Sequence, residues 1–529
     1  MPDTEVPDTN APDTNAPDTN APGTATPPAG GGKSPSQIIG LLTGLALAIG
    51  LQFVPLPEGL SREAWMLASL ALLMAAWWAT EAIPIAATAL IPMALFPLFG
   101  ITSTGAATSP YASPIVMLLL GGFIVALSIE RWNLHTRIAL NIVSGFGGRP
   151  AALILGFMLA SAILSMWISN TATTLMMIPI ALRVAQEVER EGASSRFFAP
   201  ALALGVAYAA SIGGMATPVG TPTNLIGIGY LQNEFDIAID FASWMGIGLP
   251  IVAILIPVAW FILTRLAFRL DGGGDSQAAR ELVHRELVKL GRMTRPEWRV
   301  ALLFGTVALL WMGRVLPGEL IGQPGTEWGW NPLLAWLGTT LDLPITLALG
   351  NTQIAVLGAL ATFLVPAGDR GTRQGEMLMN WEGLARLPWN VIILFGGGLS
   401  LAAALSSTGL ADWLGGQLGF LADMPIPVLL LIFVATVVFL TELTSNVATT
   451  TAFLPVLGVI AVEAGVPPQD LVVPVAIAAS TAFMLPVATA PNAIVYASGA
   501  VTQLQMMKAG VCINFAAIAI IVALSVLLG

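Results

Sequence analysis

Two short polar clusters, each set inside a long apolar run, limit what this chain can fold into more than any other feature. The first is Ser169-Asn170-Thr171-Ala172-Thr173-Thr174 and the second is Ser445-Asn446-Val447-Ala448-Thr449-Thr450. Each is preceded four residues earlier by a hydroxyl, Ser165 or Thr441, and followed by a proline, Pro179 or Pro455. Around them 56% of the residues are hydrophobic and only 10% are charged, whereas a soluble domain carries about 25% charged residues. The chain therefore reads as a polytopic membrane protein, and a Ser-Asn pair in such a setting must find its partners inside the bilayer.

The pattern occurs twice. Pro218-Val219-Gly220-Thr221-Pro222-Thr223-Asn224 has its echo in Pro486-Val487-Ala488-Thr489-Ala490-Pro491-Asn492. Gly121-Gly122 and Gly397-Gly398 lie 276 residues apart, the offset that also separates Asn170 from Asn446. Polar interruptions repeated in order point to duplication. Broken hydrophobic segments at matching places in two halves mark a transporter's binding site.

A span needs roughly 20 apolar residues, which gives eleven expected spans near 37–55, 64–80, 84–101, 113–130, 198–232, 240–264, 298–316, 351–366, 389–406, 470–500 and 507–528. Segments 151–190 and 425–463 read as re-entrant hairpins of two half-length helices each, with the Ser-Asn motifs at their tips; two further full spans are the alternative. With the N-terminus inside and neither hairpin crossing, 19 of the 21 Lys and Arg fall in cytoplasmic segments, and only Arg62 and Arg314 fall outside. Positive charge gathers on the cytoplasmic side, so this topology, with the C-terminus outside, is the expected one. It also makes the repeats inverted: the segment after Gly121-Gly122 runs inward to Glu130-Arg131, and the one after Gly397-Gly398 runs outward.

The resulting organisation is an all-α membrane protein with a disordered Pro/Asp/Thr/Asn-rich cytoplasmic tail at 1–35 and N-terminal scaffold helices at 36–112. A first repeat follows at 113–269 with its inward hairpin. A cytoplasmic loop at 270–297, scaffold helices at 298–388 and a second repeat core at 389–529 with its outward hairpin complete it. The tail has no basic start and apolar core of the kind a cleavable signal peptide needs. The single cysteine, Cys512, excludes a disulfide framework, and the two histidines, His135 and His284, fall in charged connectors. Neither a metal-ligand spacing nor a nucleotide-binding loop nor a catalytic triad signature is present, so an enzyme and a nucleic-acid binder are both disfavoured.

Thr-Pro and Ala-Pro pairs unwind a helix and free carbonyls. Freed carbonyls, hydroxyls and asparagine oxygens suit a hard cation. Helix N-termini after the Ser-Asn pairs suit a carboxylate. No Lys or Arg lies in 151–182, 198–232, 389–410 or 425–505, so an anion held among these tips has no side-chain cation there. Helix dipoles of about half a charge each do not neutralise a dianion, and co-bound cations are the remedy. The alternatives left open are packing roles for the small polar residues and an anion channel on the same scaffold. Glu442, an intramembrane acid whose counterpart is Met166, is read either as functional or as a carboxylate that snorkels or is hydrogen-bonded to the hairpin backbone.

At these residues the chain resembles the divalent-anion:sodium symporter family, the sodium-dicarboxylate and citrate cotransporters. The stretch Ser480-Thr481-Ala482-Phe483-Met484-Leu485-Pro486-Val487-Ala488-Thr489-Ala490-Pro491-Asn492-Ala493-Ile494-Val495, the two Ser-Asn motifs, and Trp389-Asn390 leading into Phe395-Gly396-Gly397-Gly398 carry the resemblance. It implies a first sodium site of Ser165, Ser169, Asn170 and Gly220, and a second of Thr441, Ser445, Asn446 and Ala488. It implies substrate contacts from Asn170, Thr171, Thr221, Ser445, Asn446 and Thr489. It further implies a homodimer whose hairpin domain moves against a fixed scaffold by an elevator motion. The expected function is sodium-coupled uptake of a C4-dicarboxylate such as succinate, malate or fumarate across the inner membrane, with an exchanger or a citrate or sulfate carrier as the near alternatives. Two departures stand out: Val447 replaces the hydroxyl that Thr171 offers, and Ala490 stands where the first repeat has Pro222.

Overall fold

A computed structural model of the protein describes residues 33–192, 197–270, 274–317, 327–342, 348–368, 375–418, 421 and 424–528. The expected disordered tail lies outside the described residues except for its last three, and Pro35 already opens a helix. The described chain is helical apart from one antiparallel pairing of two-residue strands, Leu316–Pro317 with Glu327–Trp328.

Helix starts follow local chemistry. Pro35 sits in the first turn of helix Pro35–Leu51, and Ser34 caps it with Gln37 in a reciprocal capping box, the pairing that satisfies two free backbone donors. Ser61 caps Arg62–Thr80 by accepting from the Ala64 amide. Thr294 and Glu297 form a second capping box at the head of Arg295–Met312. Proline opens Pro114–Arg131 and Pro150–Ser165, where its missing N–H is not needed.

Among the described residues, six helices are long and apolar enough to cross a membrane: Arg62–Thr80, Thr104–Arg131, Phe241–Ala267, Trp389–Ser407, Asn446–Glu463 and Gln503–Leu527. Several expected spans are built otherwise. Segment 84–101 is not one helix but Ile85–Thr88 followed by Ile91–Leu98. Pro84, Pro92 and Pro97 withdraw backbone donors there, and Gly100 turns the chain at φ 71°. Segment 198–232 divides into Phe198–Gly214 and Pro222–Phe235. Segment 470–500 divides into Pro468–Ala478 and Ala490–Ala497. Both breaks begin before the glycine or alanine that the sequence marked. The connector at 270–297 holds a helix, Gln277–Lys289, which packs on Leu134–Ser144 and Asn170–Arg190.

Segments 151–190 and 425–463 each fold as two helices joined at the Ser-Asn motif, and their arms are unequal. The first arms, Pro150–Ser165 and Ile426–Leu440, have 16 and 15 residues, while the second arms, Asn170–Arg190 and Asn446–Glu463, have 21 and 18. Half-length holds for the first arms only. In Asn170–Arg190 the excess is the polar turn after Leu182, where Arg183, Gln186, Glu187 and Arg190 leave the apolar stretch.

The interior centres on Phe198–Gly214. Nearly every residue of that helix is buried, as expected of a helix apolar on all sides, and it lies against both arms of the first hairpin. The Gly-Gly pairs explain themselves by close approach. A Cβ on Gly121 would stand 2.7 Å from the Ala355 carbonyl carbon, and one on Gly397 would stand 2.3 Å from the Ala89 carbonyl oxygen. Each repeat thus seats its glycine on backbone from outside the repeat core.

Ion pairs mark the ends. Arg137 grips Glu297 with two bonds of 2.9 and 3.2 Å and also donates to the carbonyls of Leu290 and Gly291. Arg131 pairs with Glu376 and also donates to Asn380, and Arg314 pairs with Asp240.

Gly397→Val forces atoms into the Ala89 backbone, and overpacking of this kind costs about 1–3 kcal/mol. A lower melting midpoint of the purified variant in detergent is expected, with a milder effect for Gly122→Ala, whose added methyl would meet Val219 at 3.5 Å. Equal midpoints for the two variants would contradict this packing account.

Candidate functional site

The two hairpin tips are the same construction made twice. Ser165 Oγ donates to Asn170 Oδ1 at 2.5 Å, and Thr441 Oγ1 donates to Asn446 Oδ1 at 2.6 Å. Thr174 Oγ1 returns to the Asn170 carbonyl at 2.8 Å, and Thr450 Oγ1 to the Asn446 carbonyl at 2.7 Å. Each hydroxyl at the end of a first arm therefore fixes the asparagine that opens the second arm. The caps differ. Ser169 accepts from the Ala172 amide at 3.2 Å, while Ser445 makes no such bond.

Each tip faces a break. Thr221 and Thr489 take nearly the same extended conformation, φ −143° and −142°, one residue ahead of Pro222–Phe235 and Ala490–Ala497. One cavity of about 1120 Å³ touches both tips and both breaks. Its walls include Ser169, Asn170, Thr171, Gly220, Thr221, Ser445, Asn446, Val447, Ala488 and Thr489. Of the twelve residues the sequence singled out, only Ser165 and Thr441 do not line it. They are buried one layer behind, bonded to the asparagines in front. Four helices, opening at Asn170, Pro222, Asn446 and Ala490, turn their N-terminal ends to this space. Their unpaired amides and dipoles favour an anion.

Close spacing at the first tip is tight enough to exclude a side chain. A Cβ on Gly214 would stand 2.8 Å from Asn170 Oδ1 and 3.1 Å from the Gly220 carbonyl oxygen. Asn170 and Gly220 therefore bring two oxygens to one point, as a cation site requires.

Val447 lines the cavity and also packs against buried apolar residues of two clusters.

Glu442 lies 3% exposed. Its carboxylate accepts from the amides of Phe483 (2.7 Å), Met484 (2.9 and 3.0 Å) and Leu485 (3.0 Å), and from Asn514 Nδ2 at 2.7 Å. The backbone bonds run to the facing break and the Asn514 bond to the last helix, not to its own hairpin. The first repeat has no acid there. In its place Thr217 Oγ1 donates to the Met166 carbonyl at 2.5 Å and accepts from the Gly220 amide at 3.1 Å. Glu442 thus fills a bonding role that sequence could assign only as an anomaly between repeats.

Sequence reasoning also missed cavity residues outside the tips. Glu81, Glu130, Arg386 and Asn390 line the same space, as do Ser34, Ser36 and Gln37 from the first helix. Arg386 was counted among the cytoplasmic basic residues but not placed at the cavity, because it sits on a short 3₁₀ turn, Trp381–Arg386, just ahead of Trp389–Ser407 and of the Lys/Arg-free segment 389–410. The signal was its place two residues before Pro388-Trp389-Asn390.

A family model described as the sodium:sulfate symporter transmembrane region matches residues 35–529. The chain belongs to that family. Among its relatives, the sodium-dependent dicarboxylate transporter SdcS of Staphylococcus saprophyticus is 38% identical over 497 residues, covering 92% of this chain and 90% of that protein. SdcS of Staphylococcus aureus strain USA300 is 38% identical over 499 residues, with the same coverage. Two solved structures share the fold at low identity. Neisseria gonorrhoeae MtrF gives a TM-score of 0.56 at 14% identity, covering 91% of this chain and 97% of that one. The Alcanivorax borkumensis YdaH transporter gives 0.52 at 15% identity, covering 89% and 98%. This member of the sodium:sulfate symporter family is therefore a multi-pass membrane transporter and not an enzyme.

Glu442→Ala strips three amides of their acceptor, that of buried Phe483 and those of half-buried Met484 and Leu485, and an unmet buried group costs about 1–3 kcal/mol. The variant is expected to melt well below wild type, and Glu442→Gln, which keeps an acceptor oxygen, to fall between. A Glu442→Ala midpoint equal to wild type would remove the carboxylate from this role.

Proposed function

We propose that the chain is a sodium-coupled symporter of C4-dicarboxylates, succinate, malate or fumarate, in the inner membrane. The observation that carries this reading is the single cavity in which both Ser-Asn tips and both breaks meet. In this reading Ser165, Ser169, Asn170 and Gly220 hold one sodium ion, and Thr441, Ser445, Asn446 and Ala488 hold another. Asn170, Thr171, Thr221, Ser445, Asn446, Val447 and Thr489 contact the substrate. The close approach of Asn170 Oδ1 and the Gly220 carbonyl supports the first site. The repetition of the Ser165–Asn170 bond as Thr441–Asn446 supports the second. The SdcS relatives, sodium-dependent dicarboxylate transporters by name, support both the cation and the substrate class.

Charge balance supports the same reading. Two positive ions beside the tips offset a dicarboxylate that has no Lys or Arg on the tip or break segments to meet it. Arg386 faces the same cavity with Glu81 and Glu130, so the side chains of this trio give no surplus of positive charge.

The same reading takes transport as an elevator motion of the hairpin domain in a homodimer, with the N-terminus in the cytoplasm and the C-terminus outside. Two cavities flank the first break. Gly220 and Thr221 line the large one, shared with Arg386, and Pro218 lines a second of about 510 Å³ beside Asp240 and Arg314. By the distribution of Lys and Arg the first lies on the cytoplasmic side and the second on the outer side, which supports alternating access across this break.

Radiolabelled succinate uptake into proteoliposomes tests the function. Accumulation above equilibrium under an inward sodium gradient is expected. Uptake that needs internal dicarboxylate and no sodium would make the protein an exchanger, and sulfate uptake in place of succinate would make it a sulfate carrier. Asn170→Ala and Asn446→Ala each remove an oxygen ligand and should abolish sodium-driven uptake while leaving folded protein. An unchanged sodium requirement in either variant removes that site from the scheme.

Selectivity gives a separate test. A hydrogen bond to a charged group is worth about 1.5–3 kcal/mol, or roughly 10- to 150-fold in affinity. Thr171→Val should weaken all dicarboxylates together, and Val447→Thr should reorder succinate, malate and citrate in competition uptake. An unchanged order at normal rate would leave Val447 as packing alone.

A further inference from the structure

The two breaks share a bond pattern that the cation and substrate assignments do not use. Asn224 turns its amide back across the first break and donates from Nδ2 to the carbonyls of Thr217 at 2.7 Å and Gly214 at 3.0 Å. Asn492 does the same across the second break, donating to the carbonyls of Leu485 and Ala482 at 3.0 Å each. An offset of 268 carries Asn224 to Asn492, Gly214 to Ala482 and Thr217 to Leu485. These are the same bonds made twice. Both asparagines are fully buried at 0% exposure, and the Oδ1 of each has no hydrogen-bond partner.

The effect of such a bond is to sort carbonyls. A stretch that leaves the helix frees several of them, and those tied to an amide are turned away from any cation. In the first break Gly214 and Thr217 are committed in this way, and the Gly220 carbonyl is not. Gly214 is also the residue against which Asn170 Oδ1 and the Gly220 oxygen converge, at 2.8 and 3.1 Å from where its Cβ would stand. Asn224 thus holds the floor of the first oxygen cluster from behind. In the second break Glu442 secures the amides of Phe483, Met484 and Leu485, and Asn492 secures the carbonyls of Ala482 and Leu485 on either side of them. Ala488 is left to the cavity.

We propose that Asn224 and Asn492 are positioning residues that set the cation affinity of the two repeat-related sites by fixing which break carbonyls stay uncommitted. They touch neither substrate nor cation and act through the backbone of Gly220 and Ala488. The proposal rests on the sodium-coupled reading above.

Its test is sodium-dependent thermal stabilisation of the purified full chain, titrated with sodium chloride at constant ionic strength in choline chloride. Wild type should gain stability as sodium rises. Asn224→Ala and Asn492→Ala should each need at least about tenfold more sodium for half of that gain, equivalent to ~1.4 kcal/mol. Asn224→Ser, which keeps one donor, should fall between and stands in if the alanine variant does not fold. Variants that melt lower in choline but titrate at the wild-type sodium concentration would overturn the proposal, because the amide would then only hold the fold together. A wild type without any sodium response would overturn the sodium reading itself, and this proposal with it.

Discussion

A carbonyl freed from a helix inside a bilayer has no water to bond to, so its partners must come from the protein or from what the protein binds. The rest of this structure depends on that constraint. Two breaks, at 215–221 and 479–489, release carbonyls and amides at mid-chain in each half. Buried side chains take up several of them: Asn224 and Thr217 in the first, Asn492 and Glu442 in the second. Gly220 and Thr221 of the first break and Ala488 and Thr489 of the second face the cavity between the hairpin tips. The bonds that hold the breaks open thus also select the groups left for binding.

The same economy governs charge. Four helix N-termini reach one cavity with no basic side chain on the tip or break segments. Such a space attracts an anion and does not neutralise a dianion by itself. In the proposed function, sodium ions bound beside the tips complete the balance. On that proposal, coupling needs no long-range signal, because the dianion is weakly held until the cations are bound.

Much of this was legible in the sequence because a polar residue in an apolar run is conspicuous. Ser165, Asn170, Thr441 and Asn446 stood out by type and spacing, and the structure joins them in pairs. The breaks were marked by Pro222 and Pro491, although unwinding begins several residues earlier, at Met215 and Ala479, where the sequence carries no proline. Glu442 was visible as an oddity but not as the acceptor for Phe483, Met484 and Leu485. That partnership joins residues about 40 positions apart in sequence, and no local pattern encodes it. Segment 84–101 has the composition of a span, yet its prolines divide it into two short helices. Arg386 was missed because it sits on a turn outside the helices, and only the fold swings that turn to the cavity.

The central claim is that bound cations supply the charge balance the side chains lack. Isothermal titration of succinate into the purified protein tests it directly, in sodium chloride and in choline chloride at equal ionic strength. The account predicts measurable heat and a defined affinity in sodium, and an affinity at least tenfold weaker in choline. Equal affinity in the two salts would mean that the tips neutralise the dianion unaided, and the account would be wrong at its centre.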